Sequence, residues 1–261
     1  MTETNIPLLE YDPSPRAILE PRLTNIQHPV PECAVICFFN NLLLRLEKEG
    51  TLQPIGELRC ETGALQLYAL DYQGKELLVF HPGVGAPLAG GFFDEVISAG
   101  VRHFVACGGC GVLQKDIAAG HIIILTSAVR DEGTSFHYLP PSREIIFSPK
   151  VAGILEMTCL KFGIPYLLGK TWTTDAIYRE TEKKREKRIA EGCITVEMEA
   201  SALAAIARFR EVDFGQILYG GDLVVPEGWD KRDWLNRHEI REQLFWIAVE
   251  ASLQSGCPDF S

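Results

Sequence analysis

The clearest structural unit of the chain lies at residues 102–111, which read RHFVACGGCG. Arg102–Cys107 is a largely apolar run without regular alternation, which is typical of a strand buried on both faces. Gly108–Gly111 predicts a break at the end of that strand. Because three glycines in four positions cost conformational entropy, we expect the backbone to approach another group closely there.

The same unit of strand, turn and helix recurs along the chain. Further strands are predicted at Ala34–Phe39, Leu65–Asp71, Glu76–His81, Ile122–Ser127, Tyr166–Thr171 and Gln216–Tyr219. The spacing of apolar residues predicts helices at Asn40–Gly50, Leu88–Ala99, Pro149–Phe162, Glu182–Glu191, Met198–Arg208 and Asn236–Leu253. Strands that alternate with helices predict an α/β sheet covered on both faces, with ligand groups at the carboxyl ends of the strands.

Composition and charge argue against several classes of protein. A length of 261 residues suits one large α/β domain. The net charge of −10 argues against a nucleic-acid surface, because phosphate backbones require a basic stripe. No apolar stretch approaches the roughly 18 residues that span a bilayer. The polar N-terminus has no secretory signal, so we expect a cytoplasmic protein.

Glycines and acidic residues follow several of the predicted strands. Gly83 and Gly85 come just after one strand, where backbone N–H groups can face an anion or a hydroxyl group. Glu197-Met198-Glu199-Ala200-Ser201 places carboxylates in the first turn of a helix, where they either compensate the helix dipole or belong to a site. Gly220-Gly221-Asp222 places an acid at a strand end, where it either caps a turn or contacts a ligand.

Aromatic, histidine and cysteine residues leave several alternatives open. Lys170–Tyr178 is either a packed loop or a surface that stacks on a flat ring. His81 is either structural or a ligand contact, and the histidines show no metal-ligand spacing, so no metal is expected. Cys107 and Cys110 form a CxxC that suits a redox pair or half of a metal site. Buried free thiols are the favoured interpretation, because no second CxxC accompanies it.

Together, these segments resemble the nucleoside phosphorylase-I superfamily, which includes purine nucleoside and uridine phosphorylases and related nucleosidases. The most specific match is Val196-Glu197-Met198-Glu199. Gly108–Val112 is similar to the family's glycine-rich loop, and Ala128–Tyr138 to a segment that follows a strand. Thr173–Tyr178 resembles the base-side loop, and Gly221-Asp222 the strand end that carries a general acid in purine-acting members.

The resemblance implies an architecture and an assembly. We expect a single three-layer α/β domain of the phosphorylase/hydrolase-like kind at residues 32–261, with a mixed central β-sheet flanked by helices. Residues 1–31 are rich in proline and are expected to form an extended N-terminal arm. The family implies a homo-oligomer built from dimers, to which such an arm could contribute.

The resemblance also implies a role for each matched position. Asp222 is expected to protonate or hydrogen-bond the leaving purine, and Glu199 to accept hydrogen bonds from ribose hydroxyls. These roles suit the charges that develop when a ribosyl C–N bond breaks. The other expected contacts are Met198 and His81 at the ribose, Trp172, Thr173, Tyr178 and Gly109 at the base, and Gly83, Gly85, Gly108, Cys110 and Arg130 on the phosphate or acceptor side.

Departures from the family pattern concern the acceptor and the base. Ala106 occupies the strand position of a phosphate-binding arginine, and Phe38-Phe39-Asn40-Asn41 replaces a loop of the Gly-Asp-Pro-x-Arg type. Thr181 and Lys183 fall where uridine phosphorylases recognise uracil, which disfavours uridine. Other cations that are candidates to hold phosphate are Arg59, Arg130 and Arg143.

Four hypotheses follow for the function. The first is phosphorolysis of a purine nucleoside, with inorganic phosphate as co-substrate and no cofactor. The second is hydrolysis by a nucleosidase on the same fold, which the alanine at position 106 favours. The third is non-catalytic nucleoside binding, and the last is a redox function of the CxxC.

Overall fold

The computed structural model describes residues 6–256, which form eleven strands and seven α-helices. The strands are β1 (Cys33–Cys37), β2 (Gln53–Cys60), β3 (Gly63–Tyr72), β4 (Lys75–Phe80), β5 (His103–Val112), β6 (Ile122–Asp131), β7 (Glu144–Ile146), β8 (Tyr166–Thr174), β9 (Cys193–Glu197), β10 (Asp213–Val225) and β11 (Gly228–Asp230). The helices are α1 (Asn40–Lys48), α2 (Ala86–Ser98), α3 (Ser135–Tyr138), α4 (Pro149–Lys161), α5 (Glu182–Ala190), α6 (Ala200–Phe209) and α7 (His238–Ser255).

All of these strands belong to one mixed sheet, part of which closes on itself. β5 pairs with β10, β10 with β6, β6 with β8, β8 with β9, and β9 again with β5, so these five strands form a ring. β1, β4, β3 and β2 extend the sheet outward from β5. Because β5 and β10 run parallel, their carboxyl ends lie side by side.

Helices cover both faces of the sheet, which gives the domain three layers. α2 and α6 pack on one face, where the rings of Phe93 and Phe104 meet edge to face with centroids 4.7 Å apart. α1, α4 and α7 pack on the other face, against a cluster that includes Val105. Neighbouring residues of a strand point to opposite faces, so β5 is apolar at successive positions. The predicted three-layer α/β domain with a mixed sheet is confirmed.

The glycine-rich segment does not end β5, so the break predicted at Gly108–Gly111 is wrong. β5 continues to Val112 because β10 runs beside it and pairs Tyr219 with Gly109. A Cβ atom at Gly109 would lie 3.2 Å from the Tyr219 ring. At Gly109, the group that closely approaches the backbone is therefore the side chain of Tyr219 on the neighbouring strand.

Sequence patterns missed four strands, of which β9 matters most. β9 closes the ring by pairing with β5 at only two positions, Val196 with Gly111 and Thr195 with Val112. The helix predicted to begin at Met198 begins two residues later, since the preceding residues form the turn out of β9.

Residues 6–31 contain a short 3₁₀ helix at Pro7–Leu9, and most of their side chains are exposed. Ile26 forms an isolated bridge to Gly56 and packs against the main core. The division into an arm at residues 1–31 and a domain at 32–261 stays a prediction, and residues 1–5 and 257–261 lie outside the described residues. Within residues 6–256, no helix is long and apolar enough to cross a membrane.

Candidate active site

A cavity of about 710 Å³ lies where the β1–α1 turn, the carboxyl ends of β5 and β10, and the turn after β9 meet. Its volume falls in the usual range for small-molecule sites, about 300–1,000 Å³. α7 and the β10–β11 hairpin complete its wall. Of the residues predicted from sequence, those that line it are Asp222, Glu199, Met198, Tyr178, Gly109, Gly108 and Cys110.

The buried carboxylate of Glu197 organises the turn between β9 and α6. Its Oε2 accepts hydrogen bonds from the backbone N–H groups of Glu199 at 2.7 Å and Ala200 at 2.6 Å. Its Oε1 accepts a hydrogen bond from Thr173 Oγ1 at 2.6 Å. These contacts satisfy N–H groups at the start of α6, where a negative charge is favoured. Glu197 therefore holds the turn that places Glu199 at the cavity.

Burial perturbs both carboxyl groups of this turn. Burial, and then the charge of Glu197, raises the pKa of Glu199 to about 8. Burial also raises the pKa of Glu197 to about 7, against the hydrogen bonds that favour its ionised form. The charge of Glu197 opposes ionisation of Glu199, and the charge of Glu132 opposes ionisation of Glu197. A ligand hydroxyl that donates to Glu199 would favour the ionised form.

The glycine turn after β4 supports Glu199 rather than lining the cavity. Gly83 and Gly85 have φ values of 82° and 90°, in the left-handed region that favours glycine. The Gly85 N–H donates to Glu199 Oε1 at 2.6 Å, and the Gly83 N–H donates to His81 Nδ1 at 2.9 Å. The resemblance placed both glycines on the phosphate side and His81 at the ribose, and none of the three lines the cavity. Val84 is the residue of this turn that lines the cavity.

Trp172 and Thr173 do not line the cavity, contrary to the predicted base contacts. Trp172 is fully buried, and its Nε1 donates to Asp131 Oδ2 at 2.9 Å. Thr173 is fully buried as well, and its hydroxyl donates to Glu197. Both residues belong to β8 inside the closed part of the sheet, where their side chains pack or hold other groups. Sequence composition did not separate this packed strand end from a binding loop.

Arg130, which the resemblance placed on the phosphate side, also lies outside the cavity. Its Nε donates to Ser135 Oγ at 2.8 Å, and its Nη1 to Ser142 Oγ at 2.7 Å. These bonds tie the end of β6 to the loop that follows it. Arg59 and Arg143, the other candidate cations, form ion pairs with glutamates. Neither of them lines the cavity.

Asp222 lies in a second acidic part of the cavity. Its Oδ2 accepts a hydrogen bond from Trp229 Nε1 at 2.6 Å, which orients the carboxyl group. Glu180 lines the same cavity, and burial, followed by the charge of Asp222, raises its pKa to about 7. Trp229 and Tyr178 are largely exposed, so they provide aromatic surface where the cavity meets solvent.

Arg241 on α7 is the only cation among the cavity-lining residues that the structure describes. Its side chain is buried and donates from Nε to Tyr219 Oη and from Nη2 to the Trp234 carbonyl oxygen, both at 3.0 Å. Sequence analysis missed Arg241, as it missed Glu180. The available signal was its spacing from the buried Leu244, since residues three apart share a helix face.

The two cysteines of the CxxC face opposite sides of β5. Cys107 packs in the cluster under α7, and Cys110 in the cluster under α6. Residues three apart on a strand point to opposite faces, so these thiols do not face each other. Burial raises the pKa of both thiols, which keeps them protonated and unreactive. The geometry gives the redox hypothesis no support.

Residues 32–249 match the family model described as the Phosphorylase superfamily, and the chain belongs to this superfamily. Guanosine phosphorylase of Halorubrum lacusprofundi is 27% identical over 198 residues, which cover 73% of this chain and 80% of that protein. Uridine phosphorylase of Treponema pallidum is 29% identical over 186 residues, which cover 66% and 70%. The predicted membership of a family of nucleoside phosphorylases is confirmed.

A solved structure shows the same fold. Purine nucleoside phosphorylase from Toxoplasma gondii, in complex with immucillin-H, matches with a TM-score of 0.76 at 19% identity. The match covers 89% of this chain and 97% of that one.

The raised pKa of Glu199 predicts a pH-dependent effect of removing its charge. In the folded protein the pKa is about 8, against an ordinary 4.5, so the fold loses stability as pH rises through this window. We expect Glu199→Gln to be more stable than the wild type at pH 8 by at least about 1 kcal/mol. The difference should vanish near pH 4.5. Urea unfolding at the two pH values measures it.

The matched control is Glu227→Gln, which alters an exposed glutamate paired with Lys115. Because that pairing lowers the pKa of Glu227, its removal should give no gain at pH 8. A stability difference for Glu199→Gln that stays constant between pH 4.5 and pH 8 would contradict the raised pKa.

Proposed function

We propose that this protein cleaves the N-glycosidic bond of a purine nucleoside by phosphorolysis, with inorganic phosphate as co-substrate and no cofactor. One observation carries the proposal: Glu199, a buried carboxyl group, and Asp222 line the same cavity. Breaking a ribosyl C–N bond leaves positive charge on the sugar and negative charge on the base. A carboxylate beside the sugar and a proton donor beside the base stabilise that distribution.

Glu199 is assigned to the ribose. Its Oε1 accepts the Gly85 N–H, and the carboxylate keeps further lone pairs to accept from a ribose hydroxyl. This hydrogen bond favours the ionised carboxylate, and the resulting negative charge supports the cationic character that develops at C1′. Met198, the next lining residue, packs against the sugar.

Asp222 is assigned to the base. Trp229 Nε1 donates to its Oδ2, which leaves Oδ1 to transfer a proton to N7 of the purine. A phosphate oxygen forms a bond to C1′ while the C1′–N9 bond breaks. The electron pair of the C1′–N9 bond leaves with the purine. The purine takes the proton from Asp222, and the proton lost by phosphate returns to Asp222 through solvent. The products are ribose 1-phosphate and the neutral base.

Hydrolysis is the second candidate, and Ala106 is the observation that favours it. Ala106 is fully buried in the middle of β5, where the resemblance places a phosphate-binding arginine. Without a cation at that strand position, water is the simpler acceptor. In that case the same two carboxyl groups would act, and the sugar product would be free ribose.

A panel of nucleosides tests the function and the acceptor together. We expect inosine, guanosine or adenosine to release the free base, with ribose 1-phosphate formed in equal amount, only when phosphate is present. Chromatography of the base and the sugar product measures both. Base release without phosphate would favour hydrolysis. Tight binding without any release would contradict catalysis.

Removing the proton donor tests the assignment of Asp222. We expect Asp222→Asn to lower kcat by at least about 100-fold on a purine nucleoside, the scale of a general acid. Asp230→Asn is the matched control, because Asp230 lies on the same β10–β11 hairpin but does not line the cavity. A wild-type rate in Asp222→Asn, with the fold intact by circular dichroism, would remove Asp222 from the mechanism.

Two further features stay predictions. The family resemblance implies a homo-oligomer built from dimers, and the sequence implies a cytoplasmic location. The proposal requires two small-molecule partners, the nucleoside and inorganic phosphate.

A further inference from the structure

We infer that Arg241 binds the phosphate acceptor, and that α7 rather than β5 therefore supplies the positive charge of the site. The inference rests on the proposed function, because it names the residue that holds the second substrate of the same cavity. It is carried by the burial of Arg241, its incomplete set of partners and its place in the cavity wall.

Arg241 is a buried cation without a counter-charge. Its side chain is only 7% exposed, and it forms no ion pair with any carboxylate of residues 6–256. An unpaired buried charge is costly, so proteins normally pair it or let it face a charged ligand. Arg188, which is buried to a similar degree, has ion pairs with Asp131 and Glu191.

The hydrogen bonds of Arg241 leave part of its guanidinium free. Nε donates to Tyr219 Oη and Nη2 to the Trp234 carbonyl oxygen, and both acceptors are neutral. Nη1 has no acceptor among the described residues. Arg130, the other unpaired buried arginine, instead engages protein oxygens with all three of its nitrogens and lies away from the cavity. Arg241 therefore retains a donor for a ligand.

The surroundings of Arg241 place that donor beside the glycine-rich end of β5. The guanidinium lies 5.2 Å from the Phe39 ring centroid and 5.8 Å from that of Tyr219. The Tyr219 ring in turn lies beside Gly109, where an added Cβ atom would come within 3.2 Å of it. The family resemblance places the β1–α1 turn, and Gly108 and Cys110 of β5, on the acceptor side. Arg241 thus brings a charge from α7 to this corner of the cavity.

Gln216 provides a second polar group that the protein leaves unsatisfied. It lines the cavity and is 1% exposed, and its Oε1 has no hydrogen-bond partner among the described residues. Gln216 pairs in register with Ala106 across the β5–β10 ladder. A buried amide without partners costs free energy unless a polar ligand or water binds it. Its presence indicates a polar ligand in a cavity whose only described cation is Arg241.

The test separates phosphate binding from a structural role by using two arginine variants and a control. We expect Arg241→Met to raise the KM for phosphate at least tenfold, roughly the effect of losing a charge-assisted hydrogen bond. The KM for the nucleoside should change less than about threefold. Arg241→Lys keeps the charge, so it should bind phosphate better than Arg241→Met. Arg45→Met, which removes an exposed arginine paired with Glu242 of α7, should leave both constants unchanged.

A binding measurement keeps the inference independent of turnover. Isothermal titration of the unliganded protein with inorganic phosphate should give binding to the wild type and to Arg45→Met, and at least tenfold weaker binding to Arg241→Met. This measurement applies even if no nucleoside is cleaved, so failure of the proposed function is distinguishable. If Arg241→Met does not fold, Arg241→Lys must still weaken phosphate binding.

Three results would overturn the inference. The first is equal phosphate affinity in the wild type and the Arg241 variants. The second is absence of phosphate binding by the wild type at tens of millimolar. The third is base release from a nucleoside 5′-monophosphate in the absence of inorganic phosphate. In that case the KM for the monophosphate would be raised in the Arg241 variants and unchanged in Arg45→Met. That result would show that Arg241 holds a phosphate group of the substrate instead of the acceptor.

Discussion

The site depends on the hydrogen bonds that the carboxylate of Glu197 accepts. This carboxylate joins three elements, because it belongs to β9, accepts from Thr173 on β8 and accepts from two backbone N–H groups at the start of α6. Without these hydrogen bonds, the turn that carries Met198 and Glu199 would have no fixed geometry. The short pairing of β9 with β5 then brings this turn to the glycine-rich strand end. The pairing that closes the five-stranded ring therefore also places this turn at the cavity.

The charge distribution of the cavity follows from this arrangement. Burial raises the pKa of both Glu197 and Glu199, so a negative charge on either group is costly. The glycine turn after β4 offsets part of that cost through the Gly85 N–H. Elsewhere in the cavity, the described residues leave Arg241 without a counter-ion. A ligand with hydroxyl groups and negative charge would satisfy the buried groups of this cavity.

Much of this was predictable from the sequence, and the failures have physical causes. Buried strands such as β5 and the motif around Glu199 were recognised because their signals are local. β9 was missed because only two residue pairs connect it to β5, and such nonlocal pairing leaves no periodic pattern. Trp172 was misplaced because the sequence does not show whether an aromatic residue at a strand end faces the core or a ligand. Arg241 was missed because its burial arises only when α7 docks on the sheet.

On the proposed mechanism, the Glu199 carboxylate accepts hydrogen bonds from the ribose hydroxyls during bond cleavage. The most direct measurement compares kcat/KM for a purine ribonucleoside and its 2′,3′-dideoxy analogue, in the wild type and in Glu199→Gln. The wild type should favour the ribonucleoside by at least about tenfold, since a hydrogen bond to a charged group contributes about 1.5–3 kcal/mol. Most of that preference should disappear in Glu199→Gln. An equal preference in both proteins would contradict the account.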